Sequence, residues 1–228
     1  CGKIPLMTVE LIDHMGSDLS VVNAARVSFD KESSWETIPF SGPTEGVLQD
    51  KDIKLIKYLA KHNHWTPFGH GSAQFRIKAP IFVARQLMKH QVGLVWNEVS
   101  RRYIKTEPEF WSPDYWRQSA ENVKQGSSED ATPSQNIVDH MYIDATRHCL
   151  DAYKAMLGIG VCPEQARTVL PQSMLTEWYW SGTLMAFARI YKLRCSKDAQ
   201  VETSSVVKPI GDHMEKLFPE SWSALCGS

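Results

Sequence analysis

The chain has 228 residues, 43% of them hydrophobic, and a formal net charge of -1. That length and apolar content suit a single domain, residues 1–228, with a sizeable core. A surface built for nucleic acid or an anionic membrane carries a basic excess, so the near-neutral balance argues against both as partners.

The predicted elements follow in chain order. Thr8 to His14 reads as a first strand, and Asn23 to Phe29 follows with small residues and then Ser28. Residues 33–50 are rich in Ser, Pro and Gly and read as a surface excursion. Ile53, Ile56 and Leu59, with lysines on the opposite face, predict a helix over Asp52 to His62. From Ser72 to Ala79 the chain alternates, with Ala73, Phe75, Ile77 and Ala79 set against Ser72, Gln74, Arg76 and Lys78; this predicts a strand. Pro80 suits the first turn of a helix running to about His90, which Gly93 breaks. Residues 107–136 are rich in Pro, Ser, Asp and Glu and read as a long loop. Helical spacing returns from Ile137 to Met156; Pro163 opens a short helix that Pro171 ends; Thr176 to Trp180 is β-prone. Leu184, Phe187, Ala188 and Tyr191 mark a helix leading to Arg194, and a last helix near 197–217 is interrupted at Pro209. Mixed elements without βαβ regularity give an α+β class.

Chemistry concentrates in residues 85–103: Arg85, Gln86, Lys89, His90, Gln91, Asn97, Glu98, Ser100, Arg101, Arg102 and Tyr103. On the predicted helix Arg85, Gln86, Lys89 and His90 share one flank. A core segment cannot bury so many polar groups, since each unpaired one costs roughly 1–3 kcal/mol. The flanks (Pro80 to Ala84, then Val92 to Trp96) are apolar, and donors dense within an apolar frame line a ligand site, here one sized for a small anion.

Other constellations stay open. His62, His64 and His70 suggest a metal, but no HExxH or Cys/His pairing accompanies them; the segment reads better as a turn offering side chains to a pocket, and no metal is expected. Arg167 and Arg194 lie in apolar helices, either as surface arginines with buried stems or as planar donor pairs for a pyrimidine edge or a phosphate. Ser100 has no G-x-S-x-G elbow around it, which favours positioning over nucleophilic attack. Among the cysteines, Cys149 falls on an apolar helix face, and Cys195 adjoins Arg194, which would lower its pKa if the side chains met. The five cysteines are odd in number and lack CxxC spacing, which suits a reducing, cytoplasmic setting. No signal peptide or membrane-length apolar run is visible, and Met7 is a candidate native start, with Cys1 to Leu6 a cloning remnant. GxGxxG and GxxxxGK[ST] are both missing.

Spaced blocks in a fixed order resemble one family. They are Asn23-Ala24-Ala25-Arg26-Val27-Ser28, then His64 to His70, Lys78 to Gln86, and Asn97-Glu98-x-Ser100-x-Arg102-Tyr103. Arg167-x-x-Leu170-Pro171 follows, then Leu193-Arg194 with Ala199-Gln200-x-Glu202. Together they resemble the flavin-dependent thymidylate synthases. The resemblance implies a family-specific α+β fold, an antiparallel sheet with packed helices, and a homotetramer with active sites between subunits. It implies methylation of dUMP to dTMP, with 5,10-methylenetetrahydrofolate as carbon donor, NADPH as reductant through FAD, and no cysteine nucleophile. On the matching positions it places Arg194 as the residue that activates the uracil ring. It places Gln86, Lys89, Glu98, Ser100, Arg101, Arg102 and Arg167 around dUMP, and Ser28, His64, Thr66, Lys89, His90, Gln91, Glu98, Thr183 and Arg189 around FAD. The family signature is Arg-His-Arg, seven residues, then Ser; here Lys89-His90-Gln91 is followed by eight residues before Ser100. Gly69 stands where a Glu is common and Met185 where an Arg is common. Losing a planar fork and a charge bears on flavin affinity more than on the reaction. Two rivals remain: a metal-dependent nucleotide phosphohydrolase using the histidines, and a non-catalytic nucleotide-binding relative.

Overall fold

The structure, a computed structural model, describes residues 6–37, 46–104, 106–120 and 127–227. Strand β1 (Thr8–Met15) leads into helix α1 (Asp18–Arg26) and a 3-10 turn, Val27–Phe29. Two-residue strands β2 (Glu36–Thr37) and β3 (Gly46–Val47) precede α2 (Asp50–Lys61), and a second 3-10 turn covers Thr66–Gly69. Next come β4 (Ser72–Pro80), α3 (Ile81–Leu87), β5 (Leu94–Glu98), and the pair β6 (Arg117–Ser119) and β7 (Ser127–Ala131). Helix α4 (Gln135–Gly158), α5 (Pro163–Ala166) with the turn Arg167–Val169, and β8 (Leu175–Thr183) follow. The chain closes with α6 (Leu184–Arg194), α7 (Val201–Leu217) and α8 (Pro219–Cys226).

The main sheet has the order β1-β4-β8-β5, antiparallel throughout. The alternation read from Ser72 to Ala79 is realised: Ala73, Phe75, Ile77 and Ala79 are buried. In register with them, Phe75 pairs with Trp180 and Ile77 with Trp178. Trp96 of β5 stacks on Trp178 at 4.4 Å. Leu94 pairs with Gly182, where an added Cβ would stand 2.4 Å from Leu94 Cδ2 and 3.1 Å from the Gly93 carbonyl, so a side chain there would force Leu94 to move. The helices α1, α2, α6, α7 and α8 cover this face, Phe187 meeting Phe75 at 5.2 Å and Trp180 at 5.6 Å, edge to face. Each such fully buried side chain is worth about 1.5–3 kcal/mol of transfer free energy. The opposite face carries Arg76, paired with Glu177 at 2.6 Å, and exposed Val95 and Tyr179.

Several expectations are corrected. The helix after Pro80 ends at Leu87, so Lys89 and His90 lie in the turn beyond it and do not extend a helical flank. Gly93, at φ +77°, closes that turn. Helix α1 was not anticipated, and the 33–50 segment is no loose excursion at its described ends. Ser33 and Leu48 are buried, and Asp52, fully buried, accepts from Arg26 Nε at 3.0 Å and from the Ser33 hydroxyl at 3.0 Å. The expected 107–136 loop contains β6 and β7, and α4 begins inside it; residues 121–126 lie outside the described residues. Helix α7 continues through Pro209, because buried Val206, Val207, Ile210 and Met214 anchor both sides of the lost hydrogen bond. Helix α8 was also missed: its first turn is capped from afar, the Asp18 carboxylate accepting from the N–H groups of Glu220 (2.8 Å) and Ser221 (2.9 Å).

Replacing Asp18 by Ala leaves those N–H groups buried without an acceptor, and should cost about 1–2 kcal/mol in chemical denaturation. A change below about 0.5 kcal/mol, the level of an ordinary surface substitution, would contradict this capping role.

Candidate active site

Strand β4 runs directly into α3, and β8 directly into α6. Successive helical residues diverge by about 100°, so neighbours on α3 serve different places. Arg85 lines one groove and Gln86 another.

The first groove, about 720 Å³, lies between the end of β5, β8 and the Arg167–Val169 turn. Glu98 stands at the end of β5. Its carboxylate accepts from the Thr176 hydroxyl at 2.6 Å and from Trp96 Nε1 at 3.3 Å. Arg101, in the turn that follows, reaches the Thr106 carbonyl. Arg167 donates to the Glu164 carbonyl at 3.3 Å, and Arg102 Nε binds the Glu164 carboxylate at 2.7 Å, so Glu164 joins both arginines. The Ser100 hydroxyl accepts from the Arg102 N–H at 3.4 Å, a positioning contact rather than an activated nucleophile.

The second groove, about 910 Å³, is lined by Gln86, Arg194, Tyr115, Arg117 and Glu202. Arg194 ends α6. Its Nε donates to His90 Nε2 at 3.0 Å, and its backbone carbonyl accepts the Ser204 hydroxyl. Its terminal Nη groups have no hydrogen-bond or ion-pair partner among the described residues. Burial pushes the pKa of His90 down, and the Arg194 charge adds to this, so the imidazole is held neutral as an acceptor. Burial also lowers Arg194, which stays a cation. The buried Thr203 hydroxyl donates to Gln86 Oε1. Arg117 and Glu202 pair at 2.7 Å beside them.

The remaining predicted positions are spread over the surface. Ser28 is exposed on the turn after α1, and that turn is stapled by the reciprocal Asn23–Ser33 bonds of 2.8 and 3.0 Å. His64 and Thr66 are exposed around the second 3-10 turn, where the rings of His62 and Tyr58 lie 4.3 Å apart, tilted by 43°. Among the described residues no cluster of His, Cys, Asp and Glu could hold a metal ion. Thr183 caps α6, accepting from the Ala186 N–H at 3.2 Å, while Arg189, Lys89 and Gln91 point outward. One chain therefore brings together Glu98, Ser100, Arg101, Arg102 and Arg167 on one side, and Gln86, His90 and Arg194 on another; it does not unite the two sets.

Adjacency to Arg194 does not activate Cys195, whose thiol is pushed up by burial, and Cys226 is pushed up to about 11. Sequence reasoning missed Thr176, Thr203, Ser204 and Glu164, and gave Glu202 no role. Their only signal was a hydroxyl or carboxylate inside an apolar stretch, as in Thr203-Ser204 before Val206-Val207.

The exposed donors of Lys89, Gln91, His64, Thr66 and Arg189 make no side-chain hydrogen bond or ion pair among the described residues. Cations, an amide, an imidazole and a hydroxyl are the donor types that suit a diphosphate and a polar ring edge, and on one chain they lie apart on the surface.

Comparison with known proteins agrees with this chemistry. The family described as thymidylate synthase complementing protein matches residues 10–220. A flavin-dependent thymidylate synthase of Thermus thermophilus is 35% identical over 216 residues, covering 95% of this chain and 74% of that protein. One from Thermosipho africanus is 34% identical over 218 residues, covering 95% and 89%. The solved UMP/dUMP methylase PolB of Streptomyces cacaoi, bound with 5-Br dUMP, superposes with a TM-score of 0.81 at 30% identity, covering 96% of this chain and 94% of that one. With the match running through nearly the whole chain, this protein belongs to the flavin-dependent thymidylate synthase family.

Proposed function

We propose that this enzyme, a single-domain protein, reductively methylates dUMP to dTMP. The carbon comes from 5,10-methylenetetrahydrofolate, and NADPH supplies the reducing equivalents. The observation that carries this reading is Arg194: it is oriented at Nε by a neutral His90, anchored at its carbonyl by Ser204, and lines a groove with its Nη groups unpartnered among the described residues. Two parallel N–H donors match a uracil carbonyl and the adjacent ring nitrogen. Their positive charge favours loss of the N3 proton, and the resulting negative charge spreads to C5, the carbon that must become nucleophilic. Gln86 presents a second polar group to the same groove. Arg101, Arg102 and Arg167 supply the charge that a nucleotide phosphate needs, each charged hydrogen bond being worth roughly 1.5–3 kcal/mol. Ser100 and Lys89 complete the nucleotide shell, and Glu98, fixed by Thr176, stands where nucleotide and flavin meet. FAD, when bound, carries the reducing equivalents; Ser28, His64, Thr66, Lys89, His90, Gln91, Thr183 and Arg189 would hold it.

The separation of the Arg101–Arg167 and Arg194 grooves on one chain supports active sites completed by a second copy, in a homotetramer. Exposed Ile137, Met141 and Ile143 on α4, with Ile159 just beyond it, offer apolar surface for that assembly. No helix among the described residues is long and apolar enough to cross a membrane. The free cysteines suit the reducing cytoplasm.

The purified protein should be yellow, bleach with NADPH in the presence of dUMP, and release dTMP. UMP belongs in the same assay, since PolB is a methylase of both nucleotides. A colourless protein that releases phosphate from dUMP would overturn the reading, and tight dUMP and FAD binding without dTMP would leave only a binding protein. Arg194→Ala should lower dTMP formation by about a hundredfold or more while circular dichroism is unchanged; normal turnover would remove Arg194 from its role.

His90 is also a pH-dependent element. Its folded pKa lies below the ordinary 6.5, so the stability it secures is present above that value and is lost as pH falls through the folded one. The wild-type protein should lose more stability between about pH 7 and pH 5 than His90→Gln, which keeps an acceptor for Arg194 but cannot titrate. Equal losses in chemical denaturation would contradict this.

A further inference from the structure

The first turn of α7 reaches back to two of the polar residues that line the second groove, Gln86 and Arg194. Thr203 is fully buried and Ser204 nearly so. Ser204 donates its hydroxyl to the Arg194 carbonyl, tying the end of α6 to α7. Thr203 donates its hydroxyl to Gln86 Oε1, tying the end of α3 to the same turn, while its N–H is used by the Gln200 carbonyl at 3.0 Å. A threonine on a helix more often satisfies its hydroxyl on its own preceding turn. Here the hydroxyl reaches across to another element.

We infer that Thr203 is a positioning residue for nucleotide recognition: by occupying Gln86 Oε1, it fixes the amide so that the Nε2 donors face the groove. The inference rests on the reading of this groove as the nucleotide site. An amide can turn end for end at little steric cost, because its oxygen and nitrogen are nearly equal in size. With Oε1 engaged by Thr203, Nε2 has no partner among the described residues, and Gln86 lines the groove together with Arg194. A nucleotide offers acceptors there, carbonyl oxygens on the base and anionic oxygens on the phosphate. Turned the other way, Gln86 would set an oxygen against those oxygens and leave Nε2 against the threonine. The hydroxyl thus selects which end of the amide the ligand meets.

The test measures dUMP affinity calorimetrically on FAD-loaded enzyme, with flavin absorbance recorded for each variant. Thr203→Val keeps the volume and removes the hydroxyl. It should raise the dUMP Kd about tenfold, the loss of one well-placed hydrogen bond, with a smaller change in kcat and unchanged flavin absorbance. Thr203→Ser keeps the hydroxyl and should stay within about twofold of wild type. Gln86→Ala should weaken binding as much as Thr203→Val, and the double variant should be no worse than Gln86→Ala alone. Gln86→Glu tests the orientation without touching Thr203: it replaces the groove-facing donor by a charged acceptor and should bind dUMP more weakly than Gln86→Ala. Normal affinity for Thr203→Val alongside weakened Gln86→Ala overturns the positioning role and leaves the nucleotide reading standing. Unchanged affinity for Gln86→Ala removes the groove from nucleotide binding and the inference with it. Should Thr203→Val fail to fold, a Gln86→Glu enzyme that binds dUMP as well as Gln86→Ala overturns the orientation directly.

Discussion

The pairing of β4 with β8 is the constraint on which the rest of the molecule depends. Its register, Ser72 against Thr183 through Pro80 against Leu175, buries Phe75, Ile77, Trp178 and Trp180 on one face. Each strand passes straight into a helix, and because the strands are antiparallel those helices begin at opposite ends of the sheet. Helix α6, about 16 Å long, returns toward the end from which α3 departs. That return is what brings Arg194 to His90. A slip of one residue would carry the buried side chains of the shifted strand to the opposite face.

Around this frame the polar groups inside the molecule are arranged as supports. Thr176 holds Glu98, Thr203 holds Gln86, Ser204 holds the Arg194 backbone, and Asp52 with Ser33 and Asn23 holds the turn that carries Ser28. Thr176 also lines the first groove, whereas Thr203, Ser204, Ser33 and Asp52 line neither groove. Each satisfies a polar group of a neighbour, and at Gln86 this leaves Nε2 without a partner among the described residues. A buried hydroxyl or carboxylate is expensive unless paired, so pairing it to a surface-directed residue converts that penalty into orientation.

The arginines are divided between two grooves, and this division is itself physical. Arg85 and Gln86 leave α3 in different directions, and Arg102 and Arg167 converge on Glu164, away from Arg194. Exposed donors at Lys89, Gln91, Thr66 and Arg189 lie at further points on the surface. Ile137, Met141 and Ile143 leave exposed apolar surface on α4, which is the surface that the proposed assembly would use.

Strong local patterns were legible in the sequence. The alternation at 72–79, the spacing of Ile53, Ile56 and Leu59, and the helix toward Arg194 all depend on periodicity, which needs no distant partner. The cluster at 85–103 and the ordered blocks that define the family were equally visible, because they are residue identities in order. Features set by distant contacts were decided only by the tertiary structure. Helix α8 has Phe218 at its N-cap and starts because Asp18 caps it from the other end of the chain; α7 survives Pro209 because its neighbours are buried; the helix at 81 stops at Leu87 because Gly93 turns the chain into β5. Likewise the sequence named Gln86 and Arg194, but only the fold set them side by side with Thr203 and Ser204 behind them. Residue type determines what chemistry a side chain can perform. Which of its ends remains free to perform it depends on partners far away along the chain, and those are settled by packing.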